Sequence, residues 1–347
     1  MTRDWIENIY QETMADFLLK NPSSKFSKRK FNQLLKKTFP SFTELTFQQI
    51  KRESKSRLKD ERQFIRQFKK NLLLRWGSAF DMLEIFISYC LQHGMTLASS
   101  IRKTNKKNVK FETLVRMHAR SCQISSEVLE LLKGGYADGA YARWRSLYEL
   151  SVCARFLSDN EPELSQRFLD HSIIDSYEEA LEFQKNCRKL GYRPFSRKYM
   201  ENLEEKRATL VSKYGNDFIK PYGWAAPYLE QKKRNFKGME ETVSFGYMRS
   251  HYKSANNSVH SGAKGFLFKH GTVRQNKIML AGPSNYGLAD PAQNTAYSLF
   301  QSTLSLLGFE FYLEDTLFIS VGEKLVRELS EEFVRIQKEI ESEEKAK

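Results

Sequence analysis

Two arginines and a glutamate near the middle of the chain have the chemistry needed to act on a phosphate group. Arg143, Arg145 and Glu149 fall within GYADGAYARWRSLYEL (135–150), and Arg145 and Glu149 share a helix face because they are four residues apart. A guanidinium group stabilises charge on phosphate oxygens, and a carboxylate accepts protons. The apolar residues around most of this helix predict that it is buried. The alternative interpretation is therefore an ion network that ties helices together.

A histidine with an asparagine one turn before it is the second candidate. Asn256 and His260 lie in RSHYKSANNSVHSGAKG (249–265), near the predicted end of a helix. An imidazole there could act as a general acid or base near neutral pH. Arg249 stands eleven residues earlier, about 16 Å away along an ideal helix, so Arg249 and His260 cannot hold one phosphate unless the helix breaks. A histidine that caps the helix or bonds to the backbone is the alternative.

A third group of residues forms an acidic stripe. His171, Asp175, Glu178 and Glu182 recur at intervals of four, three and four residues, which aligns them on one helix face. The stripe could bind a metal or move protons, but a di-metal helical bundle would show Glu-x-x-His pairs, and the sequence has none. A solvated stripe with His171 paired to Asp175 is therefore favoured over a metal enzyme.

Other reaction classes find less support in the sequence. No serine stands in a Gly-x-Ser-x-Gly turn, and no cysteine has a reactive setting, which argues against hydrolysis through a covalent intermediate. No phosphate-loop motif is present either. We therefore predict no cofactor.

The elements that position these residues are predicted to be helices. Apolar residues recur every three to four positions between Phe64 and Leu97, which is the period of a helix. We expect an all-α, multi-helix bundle with a small basic helical N-terminal region. The predicted regions are this basic region at 1–62, the main bundle at 63–322 and a charged C-terminal helix at 323–347. Further helices are predicted at 111–132, 135–159, 164–185, 199–214, 242–260 and 290–318.

The charge of the chain predicts an anionic partner. The sequence carries 56 Lys and Arg against 42 Asp and Glu, a formal net charge of +14, which favours nucleic acid first and acidic lipid headgroups second. Residues 1–70 hold 17 of the bases and 8 of the acids, with Phe26, Phe31 and Phe39 between them, as on surfaces that follow a nucleic-acid strand. One interpretation is that this basic region contacts nucleic acid, RNA above all. The other is a small basic helical subdomain that packs those rings inward, and it is the interpretation we favour.

The N-terminal residues and the cysteines predict a cytoplasmic protein. The segment 1–20 carries acids and lacks the cationic start and apolar run of a signal peptide. The most apolar stretch, 72–91, contains Arg75, Asp81 and Glu84, each costly inside a bilayer, so we expect a core helix and no transmembrane segment. The four cysteines are far apart in apolar contexts, which predicts reduced, buried thiols.

Three segments together resemble a bacterial family of unknown function. They are 114–150, which contains the Gly-x-x-x-Gly-Ala-x-x-Arg-x-Arg-x-Leu-x-Glu pattern, the Tyr-Gly-Trp-Ala turn at 222–225, and SVHSGAKG at 258–265. The likeness covers about 109–268 and implies an all-helical bacterial cytosolic protein. Helical families of this kind are compared with HEPN-type ribonucleases, which act in toxin and phage-defence systems through an Arg-x4-6-His motif and usually form dimers. The sequence around His260 lacks that spacing.

The residues and the resemblance lead to two hypotheses from different classes. The first is a bacterial defence or toxin-type protein that is a metal-independent, HEPN-like ribonuclease, in which Arg143 or Arg145 approaches His260 through packing. The second is a non-catalytic adaptor, or a nucleic-acid-binding component of a defence or regulatory complex, that docks RNA or a protein partner. The catalytic residues of the first hypothesis are Arg143, Arg145, Glu149, Asn256 and His260.

Overall fold

The computed structural model describes residues 28–103, 108–260, 262–267, 270–272, 280–307 and 313–346, together with Gln11, Ala15 and Leu19. The fold is all-α, as predicted, and those residues contain no strand. The chain divides into two compact units, Met1–Lys70 and Asn71–Lys347. None of the described helices is long and apolar enough to cross a lipid bilayer.

The helices are numbered here in chain order. Those of the first half are α1 (Lys28–Lys103), α2 (Val109–Lys133), α3 (Ala137–Ser158), α4 (Pro162–Asn186) and α5 (Arg197–Tyr214). Those of the second half are α6 (Phe236–Thr242), α7 (Arg249–Val259), α8 (Ala263–Leu267), α9 (Ala289–Leu304) and α10 (Leu313–Lys345). Short 3-10 turns stand at Asn216–Ile219, Gly223–Tyr228, Gln231–Lys233 and Gly246–Met248.

The helix α3 is the centre of the larger unit. It packs against α2, α9 and α7, and Trp144 and Val152 on it are fully buried. The Trp144 indole donates to the Asn294 carbonyl oxygen at 2.9 Å and lies 3.0 Å from the Ser298 hydroxyl. A helix with apolar residues around most of its circumference is stable only when other helices cover it on several sides. This distribution of apolar residues explains the central position of α3.

Residues 28–70 of α1 belong to the smaller unit and present aromatic rings to solvent. Phe39 is 66% exposed and Phe64 is 67% exposed, while Phe47 is 48% exposed and lies under the ammonium group of Lys51. Phe26 and the side chain of Phe31 lie outside the described residues. Phe39, Phe47 and Phe64 are therefore surface rings, and Phe47 lies beside a basic side chain.

The predicted helix at 242–260 is wrong in its first turns. The helix α6 ends at Thr242, and α7 begins only at Arg249. Ser244 adopts a left-handed backbone with φ 61°, and the amide of Phe245 donates to the Glu240 carbonyl oxygen at 2.9 Å. This closure is a Schellman motif, which usually has glycine at the left-handed position. Serine at 244 gave no signal of a helix end.

Candidate functional site

Arg145, Glu149 and Tyr252 form a closed triangle of polar contacts between α3 and α7. One Nη of Arg145 donates to the Tyr252 hydroxyl at 2.7 Å and lies 2.9 Å from Glu149 Oε1. The Tyr252 hydroxyl in turn donates to Glu149 Oε1 at 2.6 Å. Burial first, and then the Glu149 carboxylate, raise the pKa of Tyr252 to about 12 against the opposing effect of Arg145. Tyr252 is therefore a proton donor at neutral pH.

A second ion pair lies beside this triangle. Arg249 donates to Glu240 Oε2 at 2.9 Å, and the Tyr148 hydroxyl donates to Glu240 Oε1 at 2.6 Å. The Glu240 side chain is 1% exposed, so Arg249 and Tyr148 take the place of water as its hydrogen-bond partners. Burial, and then Glu240 itself, raise the pKa of Tyr148 above its ordinary range. Tyr148 therefore keeps its proton and holds the carboxylate in place.

Both guanidinium groups lie against the ring of Tyr252. The distances from Cζ to the ring centroid are 4.8 Å for Arg145 and 5.2 Å for Arg249. The Nε atoms of both arginines, and Oδ1 of Asn256 one turn after Tyr252, are buried and have no hydrogen-bond partner among the described residues. An unsatisfied buried polar group costs about 1–3 kcal/mol. The cluster therefore keeps two donors and one acceptor that a ligand could satisfy.

Tyr222, in the Tyr-Gly-Trp-Ala turn, borders the same cluster. Its backbone is left-handed, with φ 60°, and its side chain is half-buried. Burial raises its pKa; the Glu149 carboxylate also raises it, while Arg145 and Arg249 lower it. Tyr222 therefore lies within electrostatic reach of all three of these charges.

A buried arginine on α4 holds the Tyr222 turn. Arg167 donates from Nε to the Trp224 carbonyl oxygen at 3.0 Å and from an Nη to the Gly223 carbonyl oxygen at 3.2 Å. Its guanidinium group also stacks over Tyr214, 4.4 Å from the ring centroid. These contacts hold the turn through its backbone carbonyl oxygens and do not involve the Tyr222 side chain.

The sequence prediction that Arg145 and Glu149 form a pair is confirmed, whereas Arg143 lies elsewhere. Arg143 forms an ion pair with Glu127 on α2. Residues two positions apart on a helix point about 200° away from each other, so α3 directs Arg143 towards α2 and Arg145 towards α7. Arg143 is a link between helices, which is the structural alternative that the sequence offered.

Asn256 and His260 also separate. Asn256 shares a face of α7 with Arg249 and Tyr252, since the spacings are seven and four residues. His260 is exposed at the end of α7, where its backbone amide donates to the Asn256 carbonyl oxygen at 2.9 Å. It follows Tyr252 by eight residues, about 12 Å along a helix. The contacts described for Arg145 are with Tyr252 and Glu149, so the structure does not join the Arg145 cluster to His260.

The acidic stripe on α4 has the structural arrangement that the sequence favoured. His171 Nδ1 lies 3.4 Å from Asp175 Oδ1, and its Nε2 lies 3.3 Å from the Lys220 carbonyl oxygen. Both ring nitrogens are therefore engaged. Within the described ranges, no three histidine, cysteine, aspartate or glutamate side chains come close enough to hold a metal ion.

The cysteines are free thiols, as predicted. Cys153 lies one turn after Glu149 on α3, and burial, followed by that carboxylate, raises its pKa to about 12. Because the thiolate is the nucleophile, a thiol with this pKa is inert at neutral pH. The groups of the cluster that could take part in a reaction are therefore its carboxylates, guanidinium groups and tyrosines.

Sequence reasoning did not assign four members of the cluster to the site: Tyr148, Glu240, Tyr252, and Arg249, which it considered only as a partner of His260. The only signal for two of them was spacing, because Arg249, Tyr252 and Asn256 fall on one helix face. The sequence also passed over His251, whose Nδ1 lies 3.1 Å from the Tyr141 hydroxyl and 3.3 Å from Asn294 Nδ2. His251 therefore links α7 to α3 and α9.

The fold and the site together define an all-helical protein with a polar Arg–Glu–Tyr cluster on its central helix. Residues 111–277 match a family of unknown function, DUF5677. This agrees with the uncharacterised family that the motifs suggested over 109–268, and the matched segment contains every residue of the cluster. No curated protein and no solved structure matches the chain.

Proposed function

We propose that the protein is a metal-independent ribonuclease of a bacterial defence or toxin type, with its site at Arg145, Glu149, Arg249 and Tyr252. One observation carries the proposal: two guanidinium groups lie against a single tyrosine ring with buried, unused Nε donors, next to a carboxylate. Guanidinium donors match the geometry of phosphate oxygens. The motif resemblance supports the biological role.

The chemistry follows from the positions of these groups. The two guanidinium groups hold the scissile phosphodiester and stabilise the charge that grows on its non-bridging oxygens. Glu149 accepts the proton of the ribose 2′-hydroxyl, and the 2′-oxygen attacks phosphorus. The bond from phosphorus to the 5′-oxygen breaks, and Tyr252 supplies the proton that this oxygen takes up. The products are a 2′,3′-cyclic phosphate and a free 5′-hydroxyl.

The substrate class follows from this mechanism. The attacking group is a 2′-hydroxyl, so RNA is cleaved and DNA of the same sequence is not. The net charge of +14 attracts the polyanion over a distance of about one Debye length. A single strand fits best, because the phosphate and ribose must both be accessible.

The test is cleavage of a single-stranded RNA in the presence of a chelator. Glu149→Gln removes the base while keeping the shape of the side chain, and we expect cleavage to fall by about 10²- to 10⁴-fold. Arg143→Ala is the matched control, because this arginine lies two residues from Arg145 but faces α2. We expect Arg143→Ala and His260→Ala to retain cleavage. Circular dichroism of each variant reports its fold.

Two results would contradict the proposal. One is a folded Glu149→Gln variant that cleaves RNA at the rate of the unchanged protein, since the mechanism then lacks its base. The other is loss of all cleavage on chelation, which would assign the reaction to a metal. Loss of cleavage in folded His260→Ala, with Glu149→Gln active, would move the site to the end of α7.

A second candidate is a non-catalytic nucleic-acid adaptor, and it rests on the smaller unit. Exposed Phe39, Phe47 and Phe64 lie among the lysines and arginines of residues 36–70, and nucleic-acid bases stack on such rings. Replacing Lys51 and nearby lysine and arginine residues by glutamate should then abolish RNA binding. If the unchanged protein does not cleave RNA, and its RNA binding depends on those basic residues, the adaptor is favoured.

A further inference from the structure

A cleft opens next to Tyr222 on the side of the Asn216–Tyr228 segment. Its volume is about 510 Å³, and Asp217, Lys220, Tyr222, Gln231 and Arg234 line it. Small-molecule sites in proteins commonly occupy about 300–1,000 Å³. The cleft is therefore large enough for a nucleoside.

The wall that carries Tyr222 has a fixed shape. Gly223 packs so closely that an added Cβ would overlap the carbonyl oxygen of Phe218. Tyr222 itself adopts a left-handed backbone, which is uncommon for a bulky residue and persists only where the surroundings impose it. The bonds from Arg167 to this turn supply that constraint. The ring of Tyr222 therefore stands at the cleft on a rigid support.

Other lining residues of the cleft carry both hydrogen-bond donors and acceptors. Asp217 accepts from Lys220 at 2.6 Å and from Arg234 at 2.8 Å, and these two bonds hold its pKa below the ordinary range. Asp217 is thus an acceptor at neutral pH. Nε of Arg234 is buried and has no partner among the described residues. Gln231, which is exposed, adds an amide that both donates and accepts.

These observations place an aromatic residue and polar groups in one cleft, and Tyr222, which lines the cleft, also interacts electrostatically with Arg145 and Arg249. We infer that the cleft binds the nucleobase of the nucleotide whose phosphate the two arginines hold, with Tyr222 stacked on the base and Arg234, Asp217 and Gln231 at its edge. This inference rests on the phosphate site of the proposed function. It gives the enzyme a base subsite and therefore a sequence preference for cleavage.

The test compares nucleoside monophosphates with inorganic phosphate. Each of the four 3′-monophosphates of adenosine, guanosine, cytidine and uridine is titrated into the full chain by calorimetry, beside inorganic phosphate. We expect at least one nucleotide to bind about tenfold tighter than phosphate, since stacking of a base on an aromatic ring contributes a factor of about 5 to 150. Tyr222→Leu should remove this advantage and leave the affinity for phosphate unchanged.

Gln231→Ala serves as a second variant, because this exposed side chain is not needed for folding. We expect it to change the order of preference among the four bases. Nucleotides that bind no tighter than phosphate, or a folded Tyr222→Leu protein that keeps the tenfold advantage, would overturn the base subsite while the phosphate site stands. Absence of binding by both phosphate and nucleotides would overturn the proposed phosphate site as well.

Discussion

Removal of the Arg249 guanidinium group should destabilise the protein strongly. Glu240 is 1% exposed and Arg249 is 28% exposed, so Arg249→Met leaves a carboxylate inside the fold with only the Tyr148 hydroxyl as a partner. Breaking a buried pair in this way costs about 3–5 kcal/mol. The variant also loses the guanidinium contact with Tyr252. We expect the free energy of unfolding to fall by an amount within that range.

The companion variants separate the charge from the hydrogen bond. Glu240→Gln keeps an oxygen for the Tyr148 hydroxyl but removes the negative charge, and the partly exposed Arg249 can then reach water. We expect a cost of about 1.5–3 kcal/mol, the value of a hydrogen bond to a charged group. The double variant contains no buried charge. Its cost should therefore be smaller than the sum of the two single costs by about 2 kcal/mol, as for residues in direct contact.

The measurement is urea unfolding followed by far-ultraviolet circular dichroism at neutral pH and constant ionic strength. Arg335→Met is the control, because Arg335 pairs with Glu332 and Glu339 on the exposed side of α10, and surface pairs contribute little. The reasoning is refuted if Arg249→Met shifts the midpoint no more than Arg335→Met does. It is also refuted if the costs of the two single variants simply add.

Two further predictions concern the buried contact between α1 and α2. An added Cβ at Gly94 would overlap the imidazole of His118, so Gly94→Ala should destabilise the fold by about 1–3 kcal/mol. Gly77→Ala lies on the same helix with open space around it, and it should stabilise the fold by about 0.5–1 kcal/mol. Thermal unfolding compares the two variants, and equal melting temperatures would contradict the packing of Gly94 against His118. Burial lowers the pKa of His118 from 6.5 to about 4, so the unfolded chain binds more protons between these values and stability should fall by up to about 3 kcal/mol as the pH drops from 6.5 to 4. His118→Gln should reduce this dependence of the free energy of unfolding on pH, measured by urea titrations, whereas replacement of the exposed His260 by glutamine should not. If the pH dependence is unchanged in His118→Gln, other groups cause the acid sensitivity.

Periodicity predicted most of the helices because each buries one stripe of apolar residues. The helix predicted at 111–132 is α2, Val109–Lys133, and the one predicted at 199–214 is α5, Arg197–Tyr214. The end of α6 was missed because the residue in the left-handed position is Ser244, and serine is not a typical residue there. The helix predicted at 290–318 ends at Leu304, and the C-terminal helix α10 begins at Leu313, ten residues before the predicted start at 323. Buried Phe318 and Phe333 both lie on this continuous helix.

The candidate site was only half predictable. The pair of Arg145 and Glu149 follows from a spacing of four residues, which local geometry fixes. The contact of Arg145 with Tyr252 joins residues 107 positions apart, and helical period does not say which faces meet. For the same reason the sequence offered His260 as the partner of Arg145, whereas the structure shows that Arg145 contacts Tyr252. The partner depends on which face of α7 packs against α3.

Strain, buried charge and unused hydrogen-bonding groups occur together in one part of this protein. Tyr222 and Ser244 are the non-glycine residues with a positive φ in the described ranges; one borders the Arg145 cluster, and the other closes the helix that carries Glu240. A sequence selected for stability alone would place glycine at such positions and satisfy each buried donor. The Nε atoms of Arg145 and Arg249 are buried and have no partner among the described residues, and both guanidinium groups lie against the ring of Tyr252. Because an unsatisfied buried donor costs stability, the phosphate ligand that we propose would compensate for this cost at the ring of Tyr252.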